Sequence, residues 1–413
     1  MGNSVNRKIG IIGGGAAGMT AAIVAAGQGA EVVLFEKGER LGRKILATGN
    51  GKCNLGNLEL SPEMYYSESP EKIPGWLEEF STQDTISFFE GLGLMIKQKN
   101  GYLYPMSEQA ATVLDVLRFQ IARERRIQVK LQSPVIHMER RKKQEKILVK
   151  TETEEALFDR VILTCGGKAA RATGSDGSGY KLAGMLGHRI VPVVPALVQL
   201  RCREEWCKSI AGVRAEARLT FLNAAGEKEA ERGELQLTEY GISGIPVFQL
   251  SRKINYLLRG QKEVSVDIDF MPGEPEERFA EKMLEKRAVL EKGSTLEEYF
   301  TGVLHKKLML LLIGLAGKKP SDRTEAVSED TLKKIYSFCR KLTVTVYASN
   351  PFENAQVCAG GVSLLEVTER LESRLCPGVF LAGEILDVDG RCGGYNLQWA
   401  WCSGHIAASA AAE

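Results

Sequence analysis

The chain has 413 residues, which is more than one ordinary hydrophobic core accommodates and predicts two or three domains. Hydrophobic residues make up 44% and charged residues 26%, so the composition is that of a globular protein and excludes disordered and collagen-like classes. The formal net charge of +2 provides no overall field that would recruit nucleic acid or an anionic membrane, and we expect neither as a partner.

The first segment predicts a strand, a glycine turn, an alanine-rich helix and a second strand, which together form a βαβ unit. The turn carries GxGxxG at Gly13, Gly15 and Gly18, directly before a helix whose first turn has unpaired backbone donors for a pyrophosphate. Glu36 ends the second strand, where its carboxylate can accept hydrogen bonds from ribose hydroxyls. This unit predicts a dinucleotide site and leaves NAD and FAD as alternatives.

Residues 42–57 (GRKILATGNGKCNLGN) are rich in glycine and asparagine, which predicts a loop with exposed backbone donors. Arg43 and Lys44 are placed to reach a phosphate, and Lys52 and Asn54 are placed to face a ring. A solvated basic loop is the alternative interpretation.

The predicted secondary structure changes several times in the middle of the chain. Residues 76–125 predict mostly helix, and alternating strands follow up to the DRVILTC segment. Short β-type segments begin at Pro192, a charged helical stretch begins after Pro275, and LTVTVYA returns to strand. We therefore predict an α/β fold in which a Rossmann-like domain of two segments (1–190 and 355–413) contains an inserted β-rich substrate domain (191–273 and 341–354), itself interrupted by a helical domain (274–340).

The far end of the chain predicts the other half of the cofactor site. Val379–Leu381 is a short apolar strand, and Glu384 just beyond its end is placed to hold a polyol chain. Gly393 and Gly394 precede a helix that is predicted to begin near Asn396 and to direct its positive end at a ligand. A flavin gains negative charge near N1 and its C2 carbonyl on reduction, so this arrangement favours FAD.

Cysteines and histidines give no sign of a metal or a disulfide framework. The nine cysteines lack paired CxxC spacing and the four histidines do not cluster with them, which predicts reduced thiols, a cytoplasmic protein and no structural metal. Cys53 has no second cysteine in CxxxxC spacing, so packing or a contact with FAD is favoured over redox catalysis. The apolar run 308–316 is too short to cross a bilayer and predicts a buried helix face.

Taken together, GGGAAGMTAA, GRKILATGNGKCNLGN, CGGKAARATGSDGSGY, AGEILDVDG and GGYNLQWAWCSG resemble the motifs of bacterial three-domain FAD-binding oxidoreductases of the aminoacetone oxidase and BaiN type (YhiN-like). The resemblance spans nearly the whole chain and implies FAD in the two-segment domain. Within it, RATGSDGSG resembles the TGxDG stretch of fumarate-reductase-type flavoproteins. The predicted cofactor-binding residues are Gly13, Gly15, Ala16, Ala17, Gly18, Glu36, Lys37, Arg43, Lys44, Thr48, Gly49, Asn50, Gly51, Cys53, Val135, Cys165, Gly166, Gly167, Asp176, Gly383, Glu384, Asp387, Gly393, Gly394, Tyr395, Asn396 and Leu397.

The chain departs from the family pattern near the expected substrate. Many members carry FTHxGLSGP, whereas this chain has LTEYGISGIP, with Glu239 in place of histidine and Ile245 in place of proline. Tyr102 replaces an expected arginine, and Arg391 and Cys392 replace a proline and a threonine of the closing loop. The predicted catalytic residues are Lys52, Asn54, Glu239 and Tyr240, with Thr238 as a further polar group on the substrate side. An ordinary exposed loop is the alternative interpretation of residues 238–240.

Three functions remain open from the sequence. The first is an FAD oxidase or dehydrogenase of a small amine or carbonyl compound, with the flavin as hydride carrier. The second is an NAD(P)H-dependent flavin reductase of an activated C=C bond in a steroid-like or bile-acid-like compound. The third is a flavin-dependent RNA modifier or a flavin-binding non-enzyme. No second GxGxxG follows a strand, so oxygen, another acceptor and transient NAD(P)H are alternative redox partners, and the oligomeric state stays open.

Overall fold

The computed structural model describes residues 7–290 and 293–413. Residues 1–6, which belong to the predicted first domain, and residues 291–292, which belong to the predicted helical domain, lie outside the described residues. The chain divides into two compact units, which we call the sheet unit (Met1–Val194 and Gln356–Glu413) and the barrel unit (Pro195–Ala355).

Strands and helices follow one another through the whole chain. In chain order, the elements up to the unit boundary are β1 (Lys8–Ile12), α1 (Ala16–Gly27), β2 (Glu31–Phe35), β3 (Gly56–Asn57), β4 (Tyr65–Tyr66), α2 (Ile73–Glu79), α3 (Thr82–Gly91), β5 (Ile96–Lys99), β6 (Tyr102–Pro105), α4 (Ala110–Arg123), β7 (Ile127–Lys130), β8 (Val135–Arg141), β9 (Lys146–Thr151), β10 (Glu155–Phe158), β11 (Arg160–Leu163), α5 (Ser178–Met185) and β12 (Ile190–Ala196). The next are β13 (Leu200–Cys202), β14 (Arg214–Leu222), β15 (Lys228–Thr238), β16 (Gly241–Gly244), α6 (Ile245–Leu257), β17 (Val264–Asp269), α7 (Glu276–Val289), α8 (Leu296–Phe300), α9 (Lys306–Leu315), α10 (Glu329–Arg340) and β18 (Leu342–Ser349). The last are β19 (Val357–Val362), β20 (Val379–Leu381), β21 (Asp389–Gly390) and α11 (Tyr395–Ala412).

A five-stranded parallel sheet organises the sheet unit in the order β20-β11-β1-β2-β7. Four of its strands, β1, β2, β11 and β20, are apolar runs, because α1 and α11 pack against this sheet and so do β9 and β10 of a three-stranded antiparallel sheet. Chain order reverses at β1, since β2 lies on one side and β11 on the other, and such a reversal opens a crevice at the carboxyl ends of the strands. The predicted α/β class with a Rossmann-like domain is therefore confirmed.

The two ends of the chain meet in this unit. Strand β20 completes the sheet that β1 begins, and α11 packs along α1. The close approach of these helices depends on Gly404, because a Cβ at that position would lie 2.6 Å from the carbonyl oxygen of Ala17. The glycine turn and the closing loop are thereby brought to one region of the unit.

The prediction of mostly helix for residues 76–125 was wrong in its centre, where β5 and β6 form an antiparallel hairpin. Asn100 and Gly101 connect the strands with φ of +52° and +81°, and two successive left-handed residues are the requirement of a type I′ turn. The Asn-Gly pair is the local signal of this hairpin. In the predicted β-rich domain, the structure likewise adds a helix, α6, which begins beside Pro246 in its first turn.

The barrel unit consists of a closed barrel in the order β13-β16-β15-β14-β17-β18 and the helices α6 to α10. Alternate strand residues point inward, and Leu200, Leu237 and Val344 are buried there. Residues of α7 to α10 belong to the same hydrophobic core as the barrel. The division of this insertion into a β-rich and a helical domain stays a prediction.

The apolar run 308–316 falls on α9, where Leu308, Leu312 and Ile313 are buried. Within residues 7–290 and 293–413, no helix combines the length and the apolar character needed to cross a membrane. In the same ranges, no cluster of three or more His, Cys, Asp or Glu side chains is arranged to hold a metal ion.

Candidate functional site

The glycine turn between β1 and α1 is built for close backbone contact. Gly13 has φ of +111°, and a Cβ there would lie 2.5 Å from the carbonyl oxygen of Thr164. A Cβ on Gly18 would lie 1.9 Å from the carbonyl oxygen of Gly13, so this glycine keeps helix and turn together. In contrast, a Cβ on Gly15 would meet no atom within 4 Å, which leaves open space beside the turn.

The first turn of α1 faces that space with unpaired donors. Gly15 is the N-cap and provides no side-chain cap. The amide groups of Ala16 and Ala17 have no acceptor among the residues that the structure describes. Because the N-terminus of a helix carries partial positive charge, this arrangement accepts an anionic group such as a pyrophosphate.

Glu36 lies at the end of β2 and is fixed by the main chain. Its Oε2 accepts a hydrogen bond from the amide of Gly14 at 2.8 Å, and its Oε1 accepts one from the amide of Gly38 at 2.6 Å. A carboxylate has about four acceptor positions, so this one retains capacity for the hydroxyls of a ribose. Val135, which begins β8, is half-buried against the core of the same unit.

Lys37 forms an ion pair with Asp176 at 2.6 Å, which joins the end of β2 to the loop before α5. Although burial opposes the shift, hydrogen bonds from Lys37 and Ser178 lower the pKa of Asp176 to about 2. Asp176 is therefore a carboxylate at neutral pH and its predicted contact with a cofactor would be made in the ionised form.

The loop 42–57 has the exposed, irregular backbone that its composition predicts. Gly49, Asn50 and Gly51 lie in the left-handed region in succession, and the Thr48 hydroxyl donates to the carbonyl of Ile45 at 2.6 Å. Arg43 donates to the carbonyl of Ala172 at 2.7 Å. The arginine thus joins this loop to the turn that follows β11.

Cys53 and Cys165 are both thiols in apolar surroundings. Burial raises the pKa of Cys53 to about 12 and that of Cys165 to about 12. The thiol of Cys165 donates to the carbonyl of Ile12 at 3.3 Å. A thiolate is the nucleophilic form of cysteine, so these pKa values favour a packing role for both residues.

Glu384 joins three segments of the sheet unit. Its Oε2 accepts from the Lys44 ammonium at 2.8 Å and its Oε1 accepts from the amide of Cys358 at 2.8 Å. Gly167 lies directly against it, since a Cβ there would be 3.0 Å from the carboxylate. Gly166 forms the preceding turn with φ of +68°. Glu384, which is predicted to hold a polyol chain, therefore also connects the segments that contain Lys44, Gly167 and Cys358.

The closing loop is in contact with the loop 42–57. A Cβ on Gly394 would lie 2.8 Å from Oδ1 of Asn54, so only glycine allows this approach. Asn57 donates to the carbonyl of Gly393 at 3.1 Å, and Oδ1 of Asn54 accepts from the amide of Leu103 at 3.3 Å. Three segments that are far apart in sequence therefore converge here.

Helix α11 begins at Tyr395 with Gly394 as its N-cap and without a side-chain cap. The side chain of Asn396 is occupied with the closing loop, because it accepts from the amide of Gly390 at 2.9 Å and donates to its carbonyl at 2.8 Å. Other predicted residues of this region have structural contacts: Asp387 accepts from the amide of Glu68, Tyr395 donates to the carbonyl of Glu59, the amide of Gly383 donates to Ser403, and Leu397 packs against the core.

Lys52 is exposed at the edge of these three segments. Its ammonium group lies 3.0 Å from Glu108, whose other oxygen lies 2.6 Å from Lys97. The hydrogen bond and charge of Glu108 raise the pKa of Lys52. Hydrogen bonds from the two lysines lower the pKa of Glu108 to about 2. Lys52 is therefore a fixed cation across the physiological pH range.

Sequence reasoning missed the hairpin as part of this site. The ring of Tyr102 lies 3.1 Å from the position that a Cβ of Gly393 would occupy. Burial raises the pKa of Tyr104, and the nearby charge of Lys52 opposes this shift. Glu108 was missed as well. Besides the Asn-Gly pair of the hairpin, the departure at Tyr102 was an available signal, since it marked a position where the family pattern places another residue.

The predicted substrate residues of the barrel unit have different environments. Glu239 is exposed and has no hydrogen bond or ion pair with any described residue. The hydroxyl of Tyr240 accepts from Asn350 at 3.1 Å, and the guanidinium of Arg201 lies 5.2 Å from its ring centroid. The structure thus associates Tyr240, but not Glu239, with other polar side chains.

The residues of the sheet unit fit FAD. The open space at Gly15, the unpaired amides of Ala16 and Ala17 and the carboxylate of Glu36 match a pyrophosphate and a ribose. The uncapped N-terminus of α11 adds a second positive helix end, which suits a ring that becomes anionic on reduction.

Comparison with known proteins gives one family and full-length relatives. The model of the family described as HI0933-like protein Rossmann domain matches residues 7–410. The chain is 42% identical over 409 residues to the 3-dehydro-bile acid delta(4,6)-reductase of Clostridium scindens, with 98% of this chain and 99% of that protein covered. It is 30% identical over 404 residues to the ribosomal RNA dihydrouridine synthase of Haemophilus influenzae, with 96% of each covered.

Among solved structures, the 3-ketosteroid delta1-dehydrogenase from Sterolibacterium denitrificans is similar with a TM-score of 0.51 and 12% identity, over 98% of this chain and 99% of that chain. At this identity the likeness concerns the fold alone. It agrees with the parallel sheet and the crevice at β1.

Proposed function

The chain belongs to the HI0933-like family and is an FAD-dependent oxidoreductase, and we propose that it reduces a C=C bond conjugated to a carbonyl group in a steroid-like acid. The observation that carries this proposal is the 42% identity to a bile acid reductase along 98% of the chain. It favours the predicted alternative, a reductase, over the predicted oxidase or dehydrogenase of a small amine or carbonyl compound.

The reaction type finds support in the second relative. A dihydrouridine synthase and a delta(4,6)-reductase both add two hydrogens across a C=C bond that is conjugated to a carbonyl. Two relatives with different substrates therefore share hydride addition to an electron-poor carbon. We propose the same step for this chain, with NADH or NADPH as the electron donor.

In this proposal, FAD would act as the hydride carrier when bound. The amides of Ala16 and Ala17 would hold its pyrophosphate, and Glu36 would hold its ribose. The positive end of α11 would stabilise negative charge at its ring.

Lys52 is proposed to bind the carbonyl oxygen of the substrate. With 51% of its side chain accessible, Lys52 can take a further acceptor beside Glu108. A cation at that oxygen withdraws electrons from the conjugated carbon and stabilises the enolate that hydride addition produces. Glu108 positions the ammonium and raises its pKa.

The test uses FAD-loaded protein under anaerobic conditions. The flavin is first reduced with NADH or NADPH, and a 3-oxo-Δ4 or 3-oxo-Δ4,6 steroid carboxylic acid is then added. We expect the oxidised flavin spectrum to return while the enone absorbance falls, and mass spectrometry to find a product heavier by two hydrogens. Aminoacetone serves as the comparison substrate. If aminoacetone bleaches oxidised flavin while the enone acid leaves reduced flavin unchanged, the proposal is wrong.

A second candidate is reduction of uridine in RNA, and the 30% identity to a ribosomal RNA dihydrouridine synthase favours it. The near-neutral charge of +2 counts against an RNA partner. The same reduced protein is therefore mixed with ribosomal RNA, and dihydrouridine is measured in the digested product. Formation of dihydrouridine without enone reduction would replace the first proposal with the second.

A further inference from the structure

A row of aligned residues crosses one end of the barrel. Arg201 of β13 pairs with Gly241 of β16 on one side and with Ala348 of β18 on the other, and Gly241 pairs in turn with Thr238 of β15. Paired residues of neighbouring strands share a face of the sheet. Since Leu200 next to Arg201 is buried in the core, the row lies on the outer face of the barrel. The long arginine side chain therefore stands between two positions with little or no side chain.

Arg201 is half-buried, and the hydrogen bonds of its guanidinium go to neutral groups. It donates from Nε to the Tyr347 hydroxyl at 3.3 Å and from Nη1 to Oδ1 of Asn350 at 3.2 Å, and it lies over the ring of Tyr240. Among the described residues, no carboxylate lies within 4.0 Å of it. By contrast, Arg203, two residues further along the chain, is paired with Glu263 at 2.7 Å. A partly desolvated cation without a counter-charge is costly unless a ligand provides one.

Two hydroxyl groups add to the donors at this end of the barrel. The Tyr240 hydroxyl accepts from Nδ2 of Asn350 at 3.1 Å and donates to no described residue. Thr238, one step along the row from Gly241, has a buried Oγ1 without a hydrogen-bond partner in the part of the chain that the structure describes. Arg201 has five N–H donors, of which these contacts use two. The three side chains have donors to spare, and Glu239, which lies between Thr238 and Tyr240 in the chain, makes no ion pair with any described residue.

We infer that Arg201, Tyr240 and Thr238 form a carboxylate-binding site in the barrel unit. A guanidinium binds a carboxylate through two parallel hydrogen bonds, and the hydroxyls of tyrosine and threonine satisfy its remaining lone pairs. This inference rests on the proposed function, because a steroid-like acid carries such a group.

The test measures binding to the FAD-loaded, oxidised protein, so it does not depend on turnover. The probes are a saturated 3-oxo steroid carboxylic acid and its methyl ester, which differ only in the charged group. For the wild-type protein, we expect the acid to bind at least about tenfold more tightly than the ester, a difference of about 1.4 kcal/mol. The affinity for the acid should fall with added salt, and that for the ester should not.

Variants test whether Arg201 causes the preference for the acid over the ester. Arg201→Gln should remove the preference for the acid and leave the affinity for the ester unchanged. Arg201→Lys should retain part of the preference, because a lysine keeps the charge but lacks the planar fork. Tyr240→Phe should weaken acid binding to an intermediate extent. The matched control is Arg214→Gln, which removes the same charge from an exposed arginine of the barrel that is already paired with Glu234 at 2.9 Å.

The outcomes separate this inference from the proposed function. Equal affinity for acid and ester, loss of both in Arg201→Gln at unchanged melting temperature, or binding of neither by the wild-type protein would overturn the carboxylate site. Acid-selective binding that depends on Arg201, in a protein that reduces no enone, would support the site and reject the reductase.

Discussion

Lys44 donates a hydrogen bond to Glu384 over 2.8 Å, although 340 positions separate the two residues in the chain. The other oxygen of the same carboxylate accepts from the amide of Cys358. One acid after the last sheet strand therefore fixes the lysine that was predicted to reach a phosphate. The two ends of the chain share the site through this contact as well as through the packing of α11 against α1.

Glu384→Ala tests the importance of this contact. The substitution leaves the partly buried Lys44 ammonium and the amide of Cys358 without their acceptor, so the free energy of unfolding should fall by about 1–3 kcal/mol. The affinity for FAD should fall as well, and both are measured by urea unfolding and by titration of the apoprotein with FAD. As a control, Glu155→Ala removes an exposed pair with Lys150 and should change neither quantity. Unchanged FAD affinity in Glu384→Ala would show that the contacts of Glu384 with Lys44 and Cys358 are separate from the cofactor site.

Alkaline pH should destabilise the protein through its buried thiols. Burial raises the pKa of Cys53 from its ordinary value of 9.0 to about 12. The stabilising effect of a raised pKa is fully present below pH 9.0 and is lost as the pH rises toward about 12, because only the unfolded chain releases the proton in this range. Each such thiol contributes a slope of about 1.4 kcal/mol per pH unit. The dependence of the unfolding free energy on pH should therefore be shallower in Cys53→Ala than in the wild-type protein, and equal slopes would contradict the pKa of Cys53.

The sequence permitted prediction of the parts of the site that depend on local geometry. Gly13 and Gly18 are required by contacts within the first βαβ unit, so their spacing is visible in the sequence. Glu36 follows from the end of the second strand for the same reason. The pairing of β11 with β1 and with β20 could be expected only because these apolar runs match a parallel sheet.

The remaining features depend on contacts between distant segments. The hydrogen bond between Arg201 and Asn350 joins residues that are 149 positions apart in the chain. The register of β13 and β18 brings the two residues close together. No local sequence pattern predicts the register of β13 and β18. The role of Glu108 was equally hidden, because its contact with Lys52 requires the hairpin whose Asn-Gly turn lay inside a stretch predicted as helix.

The proposed role of Lys52 predicts a shift of the pH profile. Since Glu108 raises the pKa of Lys52, the loss of activity on the alkaline side should begin at a lower pH in Glu108→Gln than in the wild-type protein. The measurement is kcat/KM for the enone acid across the alkaline range, with reduced FAD in the protein. Lys97→Met removes the other partner of Glu108 and leaves the contact with Lys52, so it should not shift the alkaline limb downward. A Glu108→Gln profile that coincides with the wild type would mean that Lys52 does not bind the reacting carbonyl.

Substitutions of the two glycines of the first turn should affect different properties, the stability of the fold at Gly18 and the binding of FAD at Gly15. In Gly18→Ala the new methyl group would lie 1.9 Å from the carbonyl oxygen of Gly13 and 2.6 Å from the hydroxyl of Thr164, so the turn must open and the protein should lose about 1–3 kcal/mol of stability. In Gly15→Ala the methyl group meets no protein atom within 4 Å and the backbone φ of −82° suits alanine, so the apoprotein should melt as the wild type does.

The open space at Gly15 is, however, where the pyrophosphate is proposed to lie. Gly15→Ala should therefore weaken FAD binding at least about tenfold, or about 1.4 kcal/mol, in a fully folded protein. Thermal unfolding of the apoprotein and titration with FAD measure the two effects independently. Because Gly18 is closed off by protein atoms and Gly15 is not, an equal loss of stability in both variants, or normal FAD affinity in Gly15→Ala, would require a different position for the cofactor.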